Sequence, residues 1–316
     1  MVRTLEEKGH AYLIDDGVYF EVATFPRYAD FAGLDLDELV TTGRVDHVDA
    51  KRHPADFALW KLTAPGIRRQ QEWDSPWARG FPGWHIECSA MSTKYLGTTF
   101  DIHAGGIDHV RVHHTNEVAQ SECALDVHPW VGTWMHNEFL DLAGEKVSKS
   151  KGRVLVVDSL LERGLDPLAF RYFFLQAHYR QQQSFTWDAM AASATAHRRQ
   201  VRHAIAARDA GGTPHRRSVE PHLKRFWSAL VEDLNSPQAL AVVWDVVRAV
   251  DLGPAERWAF LDDADRALGL ALGTAEDAEA DEGGSDHRID TLVADRHAAS
   301  RSRGLHYRRP NPQPTR

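Results

Sequence analysis

Cys88, His113 and Glu117 are the residues whose chemistry stands out first. A thiolate, an imidazole and a carboxylate are each ordinary donors to zinc. His113 and Glu117 stand four apart, so on a helix both side chains leave from one face. Cys88 closes the run Gly83-Trp84-His85-Ile86-Glu87-Cys88 near the start of another predicted helix. From there it can approach the 113/117 face across the end of a sheet. Spacing alone leaves a second reading open, in which Cys88 is a small buried apolar side chain and His113 a surface residue.

Three further constellations carry possible chemistry. Lys146, Ser148, Lys149 and Ser150 lie between Gly144 and Gly152. Two ammonium groups and two hydroxyls on such a loop suit the charge of a polyphosphate, or form a solvated cationic loop. His103-Ala104-Gly105-Gly106-Ile107-Asp108 reads as a strand end running into a glycine turn. Glycine there lets backbone N–H groups approach a nucleotide, or simply makes a tight turn. His103, His113, His114 and His136 fall in the same region, each a ligand, a ribose contact or a structural histidine. The basic stretch from His197-Arg198-Arg199 to His215-Arg216-Arg217 reads as one helix that touches an RNA backbone or faces solvent.

The elements that must position these groups follow from pattern. Residues 1–82 read as short mixed elements, with a strand at Val18–Val22, a helix from Leu34 to Val40 and a second apolar segment at Asp56–Trp60. Pro65-Gly66 and Ser75-Pro76 mark turns. Residues 84–96 are a predicted helix stopped by Gly97. Thr98–His103 reads as a buried strand, 113–125 as a helix and Gly132–Leu142 as another strand region. That order is the rhythm of a parallel α/β sheet. After Asp158 the chain is predicted helical, with a start at Asp166-Pro167, a basic helix over 189–208 and at least two amphipathic helices over 220–270. Residues 272–288 read as a linker and 301–316 as a disordered basic tail.

Composition narrows the class. The 316 residues are 43% apolar, enough for a full core and more than one domain. No run approaches the about 20 apolar residues that cross a bilayer, and no signal pattern opens the chain. The expectation is a cytoplasmic protein. With only Cys88 and Cys123, a disulfide scaffold is not expected. The net charge of −8 opposes general binding to polyanions, so any nucleic-acid contact must use a local basic face.

Taken together these segments resemble the cysteinyl-tRNA synthetase family of class I aminoacyl-tRNA synthetases. The resemblance rests on Pro82 to Met91, Phe100-Asp101-Ile102-His103, Gly105 to Asp108, His113-His114 with Asn116-Glu117, Ala119 to Glu122, and Lys146-Val147-Ser148-Lys149-Ser150. Pro54 to Lys61 and Ala177 to Arg180 also fit. The resemblance covers roughly residues 5–270. It implies an α/β fold: a partial Rossmann-like parallel sheet, a small mixed insertion domain and a C-terminal helical bundle. The domains it implies are an insertion domain at 1–82, the second half of the catalytic domain at 83–155, a stem-contact helical region at 156–192, a tRNA-binding-like helical domain at 193–270 and a linker with tail at 271–316.

The same resemblance implies site roles. Cys88, His113 and Glu117 become zinc ligands, and Trp84 and His103 line a cysteine pocket. Gly105, Gly106, Asp108, Ser148 and Lys149 become ATP contacts. Lys146 and Lys149 stabilise the triphosphate, with Mg2+ accompanying ATP. Cysteine, ATP and tRNA are the implied partners, with no membrane. The sequence departs from the family pattern at Ala104, Arg111-Val112, Thr115 and Val147. The family's opening half-sheet, its ATP-binding HIGH signature and a further cysteine ligand are expected to precede residue 1. A sheet without those strands should show an unpaired edge and an exposed apolar face. The implied protein is thus a cysteine–tRNA ligase that is inactive alone unless a separately encoded N-terminal half supplies them. Two alternatives are a catalytically dead paralogue that keeps zinc, cysteine or tRNA binding, and a cysteine ligase with an amino-sugar acceptor.

Overall fold

Alternating apolar residues and tight turns build the first part of the chain into antiparallel strands. A short helix α1 (Val2–Glu7) leads into β1 (Ala11–Ile14), and a two-residue turn returns as β2 (Gly17–Phe20). Strands β3 (Phe57–Leu62) and β4 (Gly80–Pro82) complete a four-stranded antiparallel sheet in the order β1-β2-β3-β4. The computed structural model describes residues 1–35, 50–142 and 156–274. Most of the segment expected as a helix from Leu34 lies outside the described residues. The apolar segment at 56–60 is the start of β3, because its alternate residues Phe57 and Leu59 are buried. Buried Asp56 fastens this sheet: it accepts from Tyr12 Oη at 2.6 Å, His53 N at 3.0 Å and Val22 N at 2.9 Å.

The next stretch changes to helices and parallel strands. Helix α2 (Trp84–Leu96) stops at Gly97, whose φ of +101° favours glycine. Strand β5 (Phe100–Gly106) follows. A 3₁₀ turn (Ile107–His109) and a π-helical turn (Val110–His114) then feed helix α3 (Thr115–Leu125). Strand β6 (Val131–Asn137) runs parallel to β5, and β7 (Leu140–Leu142) runs parallel to β8 (Gln183–Phe185). The α/β class and the parallel pairing are as expected, but β5 is not a buried strand. Ile102 is 65% exposed, because β5 pairs only with β6 among the described residues and the helices leave that side chain uncovered. Trp84, Met91 and Tyr95 on α2 are exposed as well. Ile86 and Ala119 join α2 and α3 to the core of the antiparallel sheet, with Val18, Phe20 and Leu59.

By internal packing the chain divides into two units, residues 1–146 with 179–185 and residues 147–178 with 186–316. The second unit is helical: α4 (Asp158–Leu161), α5 (Pro167–Leu175), α6 (Trp187–Asp209), α7 (Arg216–Val231), α8 (Ser236–Arg248) and α9 (Pro254–Leu268). Its core gathers Phe226, Val243, Val246, Phe260 and Leu268. The single basic helix expected over 196–217 is two helices. Gly211 and Gly212, both at positive φ, break the chain after Asp209, and His197 turns inward, its Nε2 donating to Leu270 O at 2.9 Å. Of the linker expected from 271, only residues 271–274 are described, and they follow on from the packed helical core. Leu270 and Leu272 are fully buried, and their N–H groups donate to the Asp265 carboxylate at 2.7 and 2.8 Å. The expected tail at 301–316 lies outside the described residues. No helix among the described residues is long and apolar enough to cross a membrane.

Candidate metal centre

The first turns of two helices and the middle of one strand deliver the site. On the π turn and first turn of α3, His113 and His114 precede Glu117 by four and three residues. One helical turn therefore sets both imidazoles against one carboxylate. The distances are 3.6 Å from His113 Nε2 and 3.7 Å from His114 Nε2 to Glu117 Oε2. π-helical turns recur at functional sites because the extra residue redirects side chains. From α2, Cys88 completes a group in which its sulfur, a His113 nitrogen and a Glu117 oxygen all lie within 4.8 Å of one another. From β5, His103 Nε2 donates to Glu117 Oε2 at 3.0 Å, and His103, His114 and Glu117 form a second such group.

Around these donors sits a layer that orients them. The Nδ1 atoms of His113 and His85 are 2.9 Å apart, and His114 Nδ1 lies 2.7 Å from His136 Nε2. Gln120 Nε2 donates to His85 O at 2.8 Å and to Ser89 Oγ at 2.6 Å, tying α3 to α2. The Trp84 ring lies 4.4 Å from the His113 ring and is 60% exposed, forming an open wall. Trp134 packs at 4.9 Å on His103 and 4.8 Å on His114, and Phe31 backs Trp134 at 4.7 Å.

Burial sets the protonation of the cluster. Loss of water lowers His113 to about 4, helped by neighbouring His109 and His103. His114 and His85 are each pushed down to about 3, again chiefly by burial and then by nearby histidines. These rings are neutral at pH 7 and keep lone pairs for a ligand. Burial also raises Glu117 above the usual carboxylate range, against the pull of His103. It raises Cys88, with Glu117 and Glu87 adding to the effect. Glu117 is fully buried, yet its Oε1 has no hydrogen-bond partner. The protein thus gathers the neutral imidazoles of His113 and His114, a thiol and a carboxylate largely out of water, and a bound cation is what such a donor set accommodates.

The other expected site residues fall into two groups. Gly105 and Gly106 belong to β5, where they pair with His136 and Asn137, so the glycine turn expected there is strand. Glycine is needed at 105 because a Cβ would stand 2.7 Å from His114 Cε1 and 2.9 Å from its Nε2. Asp108 is half exposed just beyond, 3.3 Å from His109 Nδ1. Lys146, Ser148 and Lys149 lie outside the described residues. The pattern reading gave no role to His85, Trp134 or Phe31. Only the neighbourhood of His85 to Trp84 and Cys88 hinted at the first.

Comparison with known proteins decides the lineage. The model of the "tRNA synthetases class I (C) catalytic domain" matches residues 1–195. The chain belongs to the class I cysteinyl-tRNA synthetase family. Cysteine–tRNA ligase 1 of Burkholderia lata is 47% identical over 272 residues, covering 86% of this chain and 56% of that protein. The cysteine–tRNA ligase of Novosphingobium aromaticivorans is 43% identical, over 83% of this chain and 55% of its own length. That of Thermococcus onnurineus is 42% identical, over 79% and 54%. The chain therefore spans about half the length of these curated relatives. Its α/β fold with parallel strand pairs agrees with a Rossmann-like class I catalytic domain in this synthetase family. A solved ternary complex of Agrobacterium radiobacter K84 agnB2 LeuRS with tRNA and LeuAMS has a TM-score of 0.49 at 15% identity, over 65% of this chain and 34% of that one, and nothing about the site follows from it.

Proposed function

We propose that this chain is the cysteine-selecting part of an ATP-dependent cysteine–tRNA ligase, with Cys88, His113 and Glu117 holding a zinc ion. The observation that carries the reading is the meeting of one sulfur, one nitrogen and one oxygen donor within 4.8 Å. Zinc, when bound, supplies a Lewis acid that prefers a thiolate to a neutral hydroxyl, which selects cysteine over serine. The chain's own groups do the rest. Glu117 brings the negative charge, and its partnerless Oε1 is available to a ligand. With His113 Nε2 kept bare, the ring proton sits on Nδ1 and is donated to His85, which fixes the ring's orientation. Trp84 and His103 wall the amino-acid side. Gly105, Gly106 and Asp108 lie at the C-terminal end of β5, where parallel strands take nucleotides, and are read as ATP contacts.

In this reading the cysteine carboxylate attacks the α-phosphorus of ATP, pyrophosphate leaves, and the cysteinyl group passes to the terminal ribose of tRNA. Lys146, Ser148 and Lys149 stabilise the phosphates, with Mg2+ accompanying ATP. The partners are cysteine, ATP, tRNA and, where it is separately encoded, an N-terminal half carrying further ATP contacts. The reaction is placed in the cytoplasm. The test is cysteine-dependent ATP–pyrophosphate exchange by the purified chain, alone and with a candidate N-terminal half. Elemental analysis accompanies it. The expected results are exchange in at least one arm, one zinc per chain, and loss of that zinc's sulfur coordination in Cys88→Ser. Exchange in neither arm rejects the ligase reading.

A further inference from the structure

We propose that His103, His114 and Glu117 form a second metal position, built from nitrogen and oxygen donors alone, which keeps a divalent cation in the chain when the Cys88 sulfur is unavailable. The inference rests on the reading above only in that Glu117 serves both positions. The second group is as compact as the first, with all three donor atoms within 4.8 Å of one another. Two of its edges are 3.0 Å from His103 Nε2 and 3.7 Å from His114 Nε2 to Glu117 Oε2. Donors that each sit about 2.0–2.2 Å from one ion stand roughly 3–4 Å from each other, so neither edge needs a large movement.

Three independent features point the same way. Glu117 is fully buried with Oε1 unpartnered, a carboxylate short of a cation. His114 has its Nδ1 engaged by His136 at 2.7 Å, which turns Nε2 toward Glu117, as His85 does for His113 at 2.9 Å. Gly105 keeps the Nε2 edge of His114 open, since a Cβ there would lie 2.9 Å from that atom. Imidazole and carboxylate donors without sulfur suit Co2+, Ni2+, Fe2+ and Zn2+. A single shared carboxylate cannot offset two dications, so the positions are alternatives and the chain holds one ion at a time. When an ion enters, His103 presents a bare Nε2 in place of the bond it now makes to Glu117 Oε2, and its ring proton lies on Nδ1.

The test uses the full chain stripped by chelator and titrated with Co2+ alone. Bound cobalt is counted, and the near-ultraviolet sulfur-to-cobalt charge-transfer band is recorded. The wild-type chain is expected to bind one cobalt and show the band. Cys88→Ala is expected to bind one cobalt without it. Adding His136→Ala to that variant weakens cobalt binding by about 10–100-fold, as loss of an orienting partner does. The native chain with its more accessible thiol, Cys88, capped by methyl methanethiosulfonate while buried Cys123 is left unmodified repeats the Cys88→Ala arm without any substitution, so a folding defect cannot hide the answer. Wild type that binds while both sulfur-free forms bind nothing overturns this proposal and leaves the zinc reading standing. Cobalt bound without a sulfur band in wild type, and equally in Cys88→Ala, supports this proposal and rejects Cys88 as a ligand. No binding in any form rejects both.

Discussion

Helices α3 and α8 are similar in length and opposite in what they bury. α3 hides Thr115, Asn116, Glu117, Gln120, Ser121 and Glu122, whereas α8 hides Ala239, Leu240, Val242, Val243, Val246 and Val247. They also begin differently. α5, α6 and α8 open with a side-chain cap from Asp166, Thr186 or Asn235, whereas α2 and α3 have none. Side-chain caps favour these three helices of the second unit, whereas α4, α7 and α9 have none, and apolar burial favours α8 over α3. The site helices lack such caps, bury fewer apolar residues, among them Ile86 and Ala119, and carry buried polar groups that stabilise the fold only when every partner is in place. Such local inconsistency is what a ligand-binding site looks like.

The sharpest way to break this contrast is in the apolar unit. Phe226 is fully buried and meets Phe260 edge-on at 5.9 Å. Phe226→Ala is expected to cost about 3–5 kcal/mol through lost burial and the cavity left behind. Denaturant unfolding followed by circular dichroism reads this directly. A cost below about 1 kcal/mol would mean the helical core is loosely packed and the contrast with α3 is overstated.

The polar unit should instead respond to pH. In the metal-free chain His113 and His114 have pKa values lowered to about 4 and about 3, against 6.5 when exposed. Above pH 6.5 both states are neutral and the shifts have no effect. Below it the unfolded chain takes up protons that the folded chain refuses, so stability falls as pH falls toward 4. The slope is about 1.4 kcal/mol per pH unit for each such histidine. Glu117, raised by burial, binds a proton earlier in the folded chain and offsets part of one histidine's slope at the acid end. Unfolding of the chelated chain at pH 7 and pH 5 measures the difference. Equal stability at both would show that the cluster is open to water.

The two regions also differ in how far their sequences foretold them. Asp166-Pro167 marks the start of α5 because a capping carboxylate followed by proline is a local instruction, and Gly97 ends α2 for the same kind of reason. His113 and Glu117 could be paired because four residues along a helix is also local. The rest of the cluster was legible only in part: Cys88, His103, His114 and His136 stood out as candidates, but their mutual arrangement did not, and His85 had no role. His85, His103 and His136 come from α2, β5 and β6, and only long-range packing of those elements brings them to α3. Gly105 and Gly106 suggested a turn, yet their smallness serves the approach of His114 and Asp108 to an extended strand. β5 carried apolar residues that suggested burial, but a strand is buried only when both faces are covered, and sequence alternation does not report which neighbours are present.

The smallest effect tests whether the local instructions in the second unit matter at all. Thr186 precedes the long helix α6, and its hydroxyl accepts from Ala189 N at 3.0 Å. That bond satisfies one of the first N–H groups of the helix, which otherwise has no intrahelical partner. Thr186→Ala removes the acceptor without touching the buried face, and the expected cost is about 1 kcal/mol. Thr186→Ser keeps the hydroxyl and should recover most of it. The pair separates capping from packing, because alanine and serine differ little in volume while only serine can accept the bond. If both substitutions cost the same, the contribution comes from the threonine methyl group, and the cap is not what distinguishes the start of α6 from that of α3.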